Sequence, residues 1–245
     1  MIFGPTFAEM RDPSLLDPSL RESARAARAR PLDPLNLYNI SWKADGEVSF
    51  TVLPEALTGV AAPIVVLCGH GFPTGSHKVG PAYSILVEKQ LEGVCDPEEH
   101  TLIFPSTGNF GIGGAWVGPR MGYRSLVVLP EEMSSERFEM IRGYGAEVIA
   151  TTGSESNVKE IYDEVRELRK VPGNRILNQF EEFANYRFHF HCTAAAALEA
   201  AEAIDTPVAA FVSAPGSAGT IAAGEAIKVR FPSAVTVAAE PRQCP

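Results

Sequence analysis

Phe72-Pro73-Thr74-Gly75-Ser76-His77-Lys78 is a Pro/Gly turn that delivers a lysine to a helix expected from Ala82 to Leu91. A lysine amine becomes a nucleophile for imine chemistry once a desolvated site lowers its pKa and leaves part of it neutral. Standing alone, such a lysine is ordinarily a surface residue. Pro105-Ser106-Thr107-Gly108-Asn109-Phe110-Gly111 ends a strand in hydroxyls, an amide and glycines just before a helix. Successive N–H groups there suit a carboxylate or phosphate, and Asn109 adds an amide that donates or accepts. The plainer alternative is a capped turn with Ser106 or Thr107 as N-cap. Ala214-Pro215-Gly216-Ser217-Ala218-Gly219-Thr220 again joins strand to helix, with small residues that let the backbone approach a phosphate. Its alternative is a turn needed only for helix–sheet packing.

The elements that must hold these segments alternate. Strands are expected at Thr101 to Pro105, Ser125 to Pro130, Glu147 to Thr151, Arg175 to Gln179, Val208 to Ser213 and Ala234 to Glu240. Helices fall between them: one opening near Phe110, one from Ser134 to Tyr144, one from Ser156 to Lys170, an Ala-rich helix ending near Ile204, and one from Gly219 to about Phe231. In the third, Val158, Ile161, Tyr162, Val165 and Leu168 follow helical spacing while Lys159, Glu160, Glu164, Arg166 and Glu167 take the other face. Strands alternating with helices predict a parallel α/β protein, in which ligands bind beyond the carboxyl ends of the strands. The three chemical segments occupy such places.

The net charge of −9 offers no broad basic surface, which argues against nucleic acid or an anionic membrane as partner. Cys68, Cys95, Cys192 and Cys244 are widely spaced, so neither a zinc site nor a disulfide framework is expected, and a cytoplasmic location fits. The richest apolar stretch, Ala61 to Cys68, is too short to span a bilayer. Residues 1–35 are rich in Pro, Arg and Ala, with Asp-Pro-Ser-Leu written twice, and read as an N-terminal arm whose Arg21 to Arg30 run is solvated. His189 and His191 fit packing and solvation better than a metal site, and Trp42 and Trp116 fit core or interface.

As an ordered set, the three segments resemble the tryptophan-synthase-β-like family of pyridoxal 5'-phosphate (PLP) enzymes, called fold type II, and its cysteine synthase-like members in particular. Pro73 to Lys78 resembles that family's cofactor-lysine segment, Ser106 to Phe110 its substrate-carboxylate loop, and Gly216 to Thr220 its phosphate loop. Pro130 to Arg137 followed by Gly145 to Val148, and Asn178 to Phe180 followed by Ala184-Asn185, are similar to stretches of cysteine synthases.

The resemblance implies a two-domain, three-layer α/β/α fold with parallel sheets and PLP in the cleft between domains. Residues 36–81 and 183–245 would form the large cofactor domain and 82–182 the small one. Lys78 would hold the cofactor covalently and then shuttle the α-proton. Asn109 would bond the cofactor's ring oxygen, and Gly216, Ser217, Ala218, Gly219 and Thr220 would hold its phosphate. Ser106, Thr107, Gly108 and Gln179 would take the substrate carboxylate. The implied activity is β-replacement or β-elimination on a small amino acid of the serine, O-acetylserine or cysteine type, by a homodimer.

Some positions depart from the family pattern. His77 before Lys78 is similar to tryptophan synthase β, whereas Ser106 to Asn109 is similar to cysteine and threonine synthases. Phe110 replaces a small hydroxyl residue, and Ala218 a glycine found in many relatives. The chain stops just after a strand where relatives continue, so a C-terminally truncated large domain is expected, with no candidate for the residue facing the pyridine nitrogen. A serine/threonine dehydratase-like lyase and a noncatalytic interaction subunit retaining the fold are the alternatives. A dinucleotide-binding unit fails because Gly216 to Gly219 lacks the middle glycine of that fingerprint.

Overall fold

Strands and helices alternate through the computed structural model, which describes residues 1–43, 46–106, 108–154, 157–217, 219–240 and 242. In chain order the elements are α1 (Phe7–Arg11), α2 (Pro18–Ala27), β1 (Phe50–Leu53), α3 (Glu55–Thr58), β2 (Ile64–Leu67), α4 (Val79–Leu91), β3 (Thr101–Pro105), α5 (Asn109–Arg120) and β4 (Arg124–Pro130). There follow α6 (Ser135–Gly143), β5 (Glu147–Thr151), α7 (Val158–Leu168), β6 (Asn174–Ile176), α8 (Phe183–Phe188), α9 (Ala194–Ala203), β7 (Ala210–Ser213), α10 (Ile221–Arg230) and β8 (Val235–Ala238).

The residues read as an arm are folded onto the core. Thr6 and Glu9 form a reciprocal cap on α1, while Asp17 accepts from the N–H groups of Ser19 and Leu20 to start α2 behind Pro18. Met10, Leu16, Ala24, Ala27, Leu37 and Ile40 are buried beneath this segment. Tyr83 of α4 fastens its end, the hydroxyl accepting from the Gly4 N–H and donating to the Pro5 carbonyl, both at 3.0 Å. Arg25 and Arg30 face outward, as the charge run predicts. Alanines carry much of the buried stripe, so the helical face is faint in a hydrophobicity pattern.

Four parallel strands in the order β5-β4-β3-β6 form the central sheet. Alternate residues point to opposite faces. Leu102 and Phe104 of β3 and Val127 and Leu129 of β4 join the cluster that holds α4 and α5, while Ile103 and Val128 pack with Ile161 and Val165 of α7. Helices therefore cover both faces, the expected three-layer α/β/α arrangement. A second parallel pair, β7-β8, is covered on one face by α9 and α10 through Ala194, Ala223 and Ile227, and exposes Val212, Val235 and Val237 on the other.

The differences from the expected elements have local causes. The antiparallel β1–β2 pair lies partly in the apolar stretch noted around residues 61–68 and was not expected as a sheet. The helix expected at Ala82 begins at Val79, because Pro81 falls in its first turn, where proline is tolerated. The strand expected from Arg175 to Gln179 ends at Ile176, and the Asn178 side chain closes the turn by accepting from the Phe180 N–H. α8 runs into α9 through a π-helical turn, His189–Thr193, a widening common at functional sites. Cys68, Cys95 and Cys192 are unpaired, and Cys244 lies outside the described residues. Among the described residues no helix is long and apolar enough to cross a membrane, and no three His, Cys, Asp or Glu side chains gather as a metal site.

Candidate functional site

Lys78 is the N-cap of α4, set by the Pro73 to Ser76 turn. Its ammonium donates to the Ser217 hydroxyl at 3.0 Å, so the turn before α4 meets the loop before α10 across 139 residues of sequence. Burial lowers its pKa from 10.5 to about 8, leaving a useful neutral fraction near neutral pH. This is the electrostatic condition that an imine-forming lysine requires.

The packing around His77, next to Lys78 in the chain, is aromatic. His77 stacks on Trp42 with ring centroids 5.7 Å apart and meets His189 edge to face at 5.2 Å. Trp42 Nε1 donates to Thr193 Oγ1 at 3.1 Å, and His189 Nδ1 lies 2.9 Å from the same hydroxyl. The Nε2 atoms of His77 and His189 are buried without a partner. Burial first, and then the charge of Lys78, lowers His77 from 6.5 to about 4; burial, His77 and Lys78 push His189 down as well. Both rings are thus neutral at neutral pH and add no charge beside the amine.

That neutrality has an expected consequence. An unfolded histidine binds its proton near pH 6.5, and His77 in the folded protein only near 4. Stability from this source is complete above pH 6.5 and is lost as the pH falls through that window. The slope is up to about 1.4 kcal/mol per pH unit for each histidine. Urea unfolding at pH 7 and pH 5 checks this. His77→Gln should lose less stability between the two than the wild type, and equal losses would contradict the assignment.

The loop before α10 turns at Gly216, whose φ of +43° lies in the left-handed region that glycine adopts without strain. Thr220, the N-cap of α10, donates its hydroxyl to the Ala214 carbonyl at 3.1 Å and so closes the loop. Asn185 of α8 reaches into it: Nδ2 donates to Ser217 Oγ at 2.9 Å, to the Ser217 carbonyl at 3.3 Å and to the Gln179 carbonyl at 3.0 Å. A Cβ on Gly219 would stand 2.3 Å from Asn185 Oδ1, so this close approach admits only glycine. Ala218 lies outside the described residues.

Ser106 follows β3 and accepts from the Gly108 N–H at 3.1 Å. It therefore closes the turn, while Gly108 stands at the N-cap of α5 with no side-chain cap, in place of the capping role considered for Ser106. Thr107, the other capping candidate, lies outside the described residues. Asn109 is exposed at the first position of α5. One turn on, Gly113 packs against the Lys78 backbone, where a Cβ would stand 3.0 Å from the Lys78 carbonyl oxygen. Gln179 presents its carbonyl to Asn185 and buries an unpaired Oε1.

Lys78, Ser217 and Gln179 thus belong to one hydrogen-bonded chain closed by Asn185, whereas among the described residues Ser106, Gly108 and Asn109 make no hydrogen bond to it, and α5 meets it through Gly113 against the Lys78 backbone. Sequence reasoning gave no role to Asn185 or Thr193, and gave His189 and Trp42 only a packing role, in keeping with their burial. The bonds of Asn185 to Ser217 and of Trp42 to Thr193 run over long separations, which leave no periodic trace, and His189 meets Thr193 one turn away only within the π-helical turn. The Asn185 match within a family-like stretch was the one available signal.

Residues 53–245 match the family model described as pyridoxal-phosphate dependent enzyme. The chain belongs to that family, whose cofactor is PLP. It is 36% identical over 174 residues to a protein of Bacillus subtilis described as a probable cysteine synthase, an alignment covering 71% of this chain and 56% of the relative. It is 33% identical over 186 residues to a cysteine synthase of Staphylococcus aureus, covering 76% of this chain and 59% of the relative. Among solved structures, the O-acetylserine dependent cystathionine beta-synthase from Helicobacter pylori superposes with a TM-score of 0.70 at 26% identity, covering 79% of this chain and 63% of that one. The chain thus spans less than two thirds of the length of each of these relatives.

The residues present fit PLP. Its aldehyde requires a partly neutral amine, which Lys78 offers, and its phosphate requires a tight turn at a helix N-terminus, where Gly216, Ser217, Gly219 and Thr220 stand before α10 without a Cβ at Gly219.

Proposed function

We propose that this chain is a PLP-dependent enzyme acting at the β-carbon of a small amino acid, by β-replacement or β-elimination on a substrate of the serine, O-acetylserine or cysteine type. The observation that carries this reading is the buried, partly neutral Lys78 amine held at 3.0 Å from the Ser217 hydroxyl. An amine so placed stands beside the loop that would hold the phosphate of a ligand carrying both an aldehyde and a phosphate.

On this reading Lys78 anchors the cofactor, and its freed amine then moves the substrate's α-proton. Gly216, Ser217, Ala218, Gly219 and Thr220 hold the phosphate, and Asn109 pairs with the cofactor's ring oxygen. Ser106, Thr107, Gly108 and Gln179 bind the substrate carboxylate. Bound PLP supplies a conjugated electron sink that makes the α-proton acidic and lets the β-substituent leave. The neutral His77 and His189 place no added charge beside the Lys78 amine.

The descriptions of the relatives as cysteine synthases and a cystathionine beta-synthase support replacement over elimination. The central sheet standing apart from β7-β8 supports a small domain over residues 82–182 that closes on substrate, with PLP in the cleft. Family likeness supports a homodimer and a cytoplasmic location.

The test is to supply PLP with O-acetylserine and sulfide, and separately with serine or threonine alone. Cysteine should form faster than any keto acid. Keto acid from serine or threonine without cysteine formation would replace this reading with a dehydratase. Neither product from folded, PLP-loaded protein would remove the enzymatic reading.

A further inference from the structure

We propose that Asn185 is a positioning residue for the phosphate loop, fixing the Ser217 hydroxyl as a donor toward a bound phosphate and tying that loop to the Gln179 turn. This rests on the roles of Ser217 and Gln179 in the proposed function.

Asn185 is 1% exposed and sits in the first turn of α8. Its amide faces two backbone carbonyls, Gln179 at 3.0 Å and Ser217 at 3.3 Å. Carbonyls only accept, so they determine which end of the amide carries the protons. Of the two protons on Nδ2, one goes to the Gln179 carbonyl and the other to Ser217 Oγ, 2.9 Å away, with the Ser217 carbonyl sharing the second at 3.3 Å. Lys78 Nζ donates to that oxygen as well, at 3.0 Å.

A serine hydroxyl has two acceptor sites and one proton. With both sites taken, the proton of Ser217 is left to point at an acceptor elsewhere. An anionic oxygen held in the Gly216 to Thr220 loop is the acceptor that this arrangement suits. Once Lys78 is engaged with a cofactor, Asn185 is the donor that keeps Ser217 in this orientation. The other end of the amide supports the assignment: Asn185 Oδ1 is buried with no donor and stands where a Cβ on Gly219 would have to be. An unsatisfied buried acceptor is costly, so the side chain is held in place by its donor end.

The experiment compares two aldehydes that differ only in the phosphate. The full chain, as wild type, Asn185→Ala, Ser217→Ala and the double variant, is titrated with PLP and with pyridoxal, and binding is followed by visible absorbance. Asn185→Ala should weaken PLP binding by about ten-fold, because the Ser217 hydroxyl then loses the orientation of its one hydrogen bond to the charged phosphate. Pyridoxal binding should stay within about two-fold, and in the Ser217→Ala background the Asn185 change should add less than about two-fold. Asn185→Ser, which keeps a hydroxyl for the Gln179 carbonyl, gives the same comparison if the alanine variant does not fold. Equal losses for PLP and pyridoxal, or fully additive losses in the double variant, would reduce Asn185 to a general structural role and overturn the proposal. Wild-type protein that binds neither aldehyde would overturn the cofactor site itself, a failure distinct from the other two.

Discussion

Lys78→Ala should lower turnover of the amino-acid substrate about a thousand-fold or more at saturating PLP, because it removes both the covalent anchor and the group that moves the α-proton. Lys78→Arg should be equally impaired: a guanidinium keeps its charge at working pH and cannot serve as the neutral amine. Two other lysines are poorly suited. Lys43 is paired with Glu199, and Lys89 with Glu92 and Glu182, whose bonds raise its pKa. Initial rates with each variant check the prediction, and activity within ten-fold of wild type would place the chemistry on another residue.

The second large effect is on stability, with the opposite sign. Burial lowers Lys78 from 10.5 to about 8, so below pH 8 the folded protein carries a charge that it would hold more comfortably unfolded. Between about pH 8 and 10.5 the unfolded chain binds more protons than the folded one, and stability rises with pH. In the absence of PLP, Lys78→Met should therefore stabilise the protein at pH 7. The gain is about 2 kcal/mol, after allowing for the lost hydrogen bond to Ser217. It should largely vanish by pH 10. Urea midpoints for wild type and variant at both pH values measure this, and a gain that persists at pH 10 would show that the charge is not its origin. Activity and stability then conflict at one residue, as expected where a site holds a group for its chemistry rather than for the fold.

What could be read from sequence follows from the range of the forces involved. β3, β4, β5 and α7 were legible from their own apolar pattern, as in the face of Ile161 and Val165, and α6 from its start at Ser134 and the glycine at 145. Residues 1–35 were not, because their buried stripe depends on Ala24 and Ala27 and on Tyr83 from a distant helix. β1–β2 was obscured because both strands are short and half-exposed. In the site, Lys78 and Ser217 were found as separate turns. Their hydrogen bond, the neutral His77–His189 pair and the Asn185 bridge exist only once α4, α8 and α10 have packed.

The central claim is that Lys78 is the residue that carries PLP. The most direct measurement is borohydride reduction of the PLP-treated full chain, followed by peptide mapping to locate the phosphopyridoxyl group. One modified peptide is expected, containing Lys78, and it should disappear in Lys78→Ala. Modification at Lys43 or Lys89 instead, or none in folded protein at saturating PLP, would contradict it.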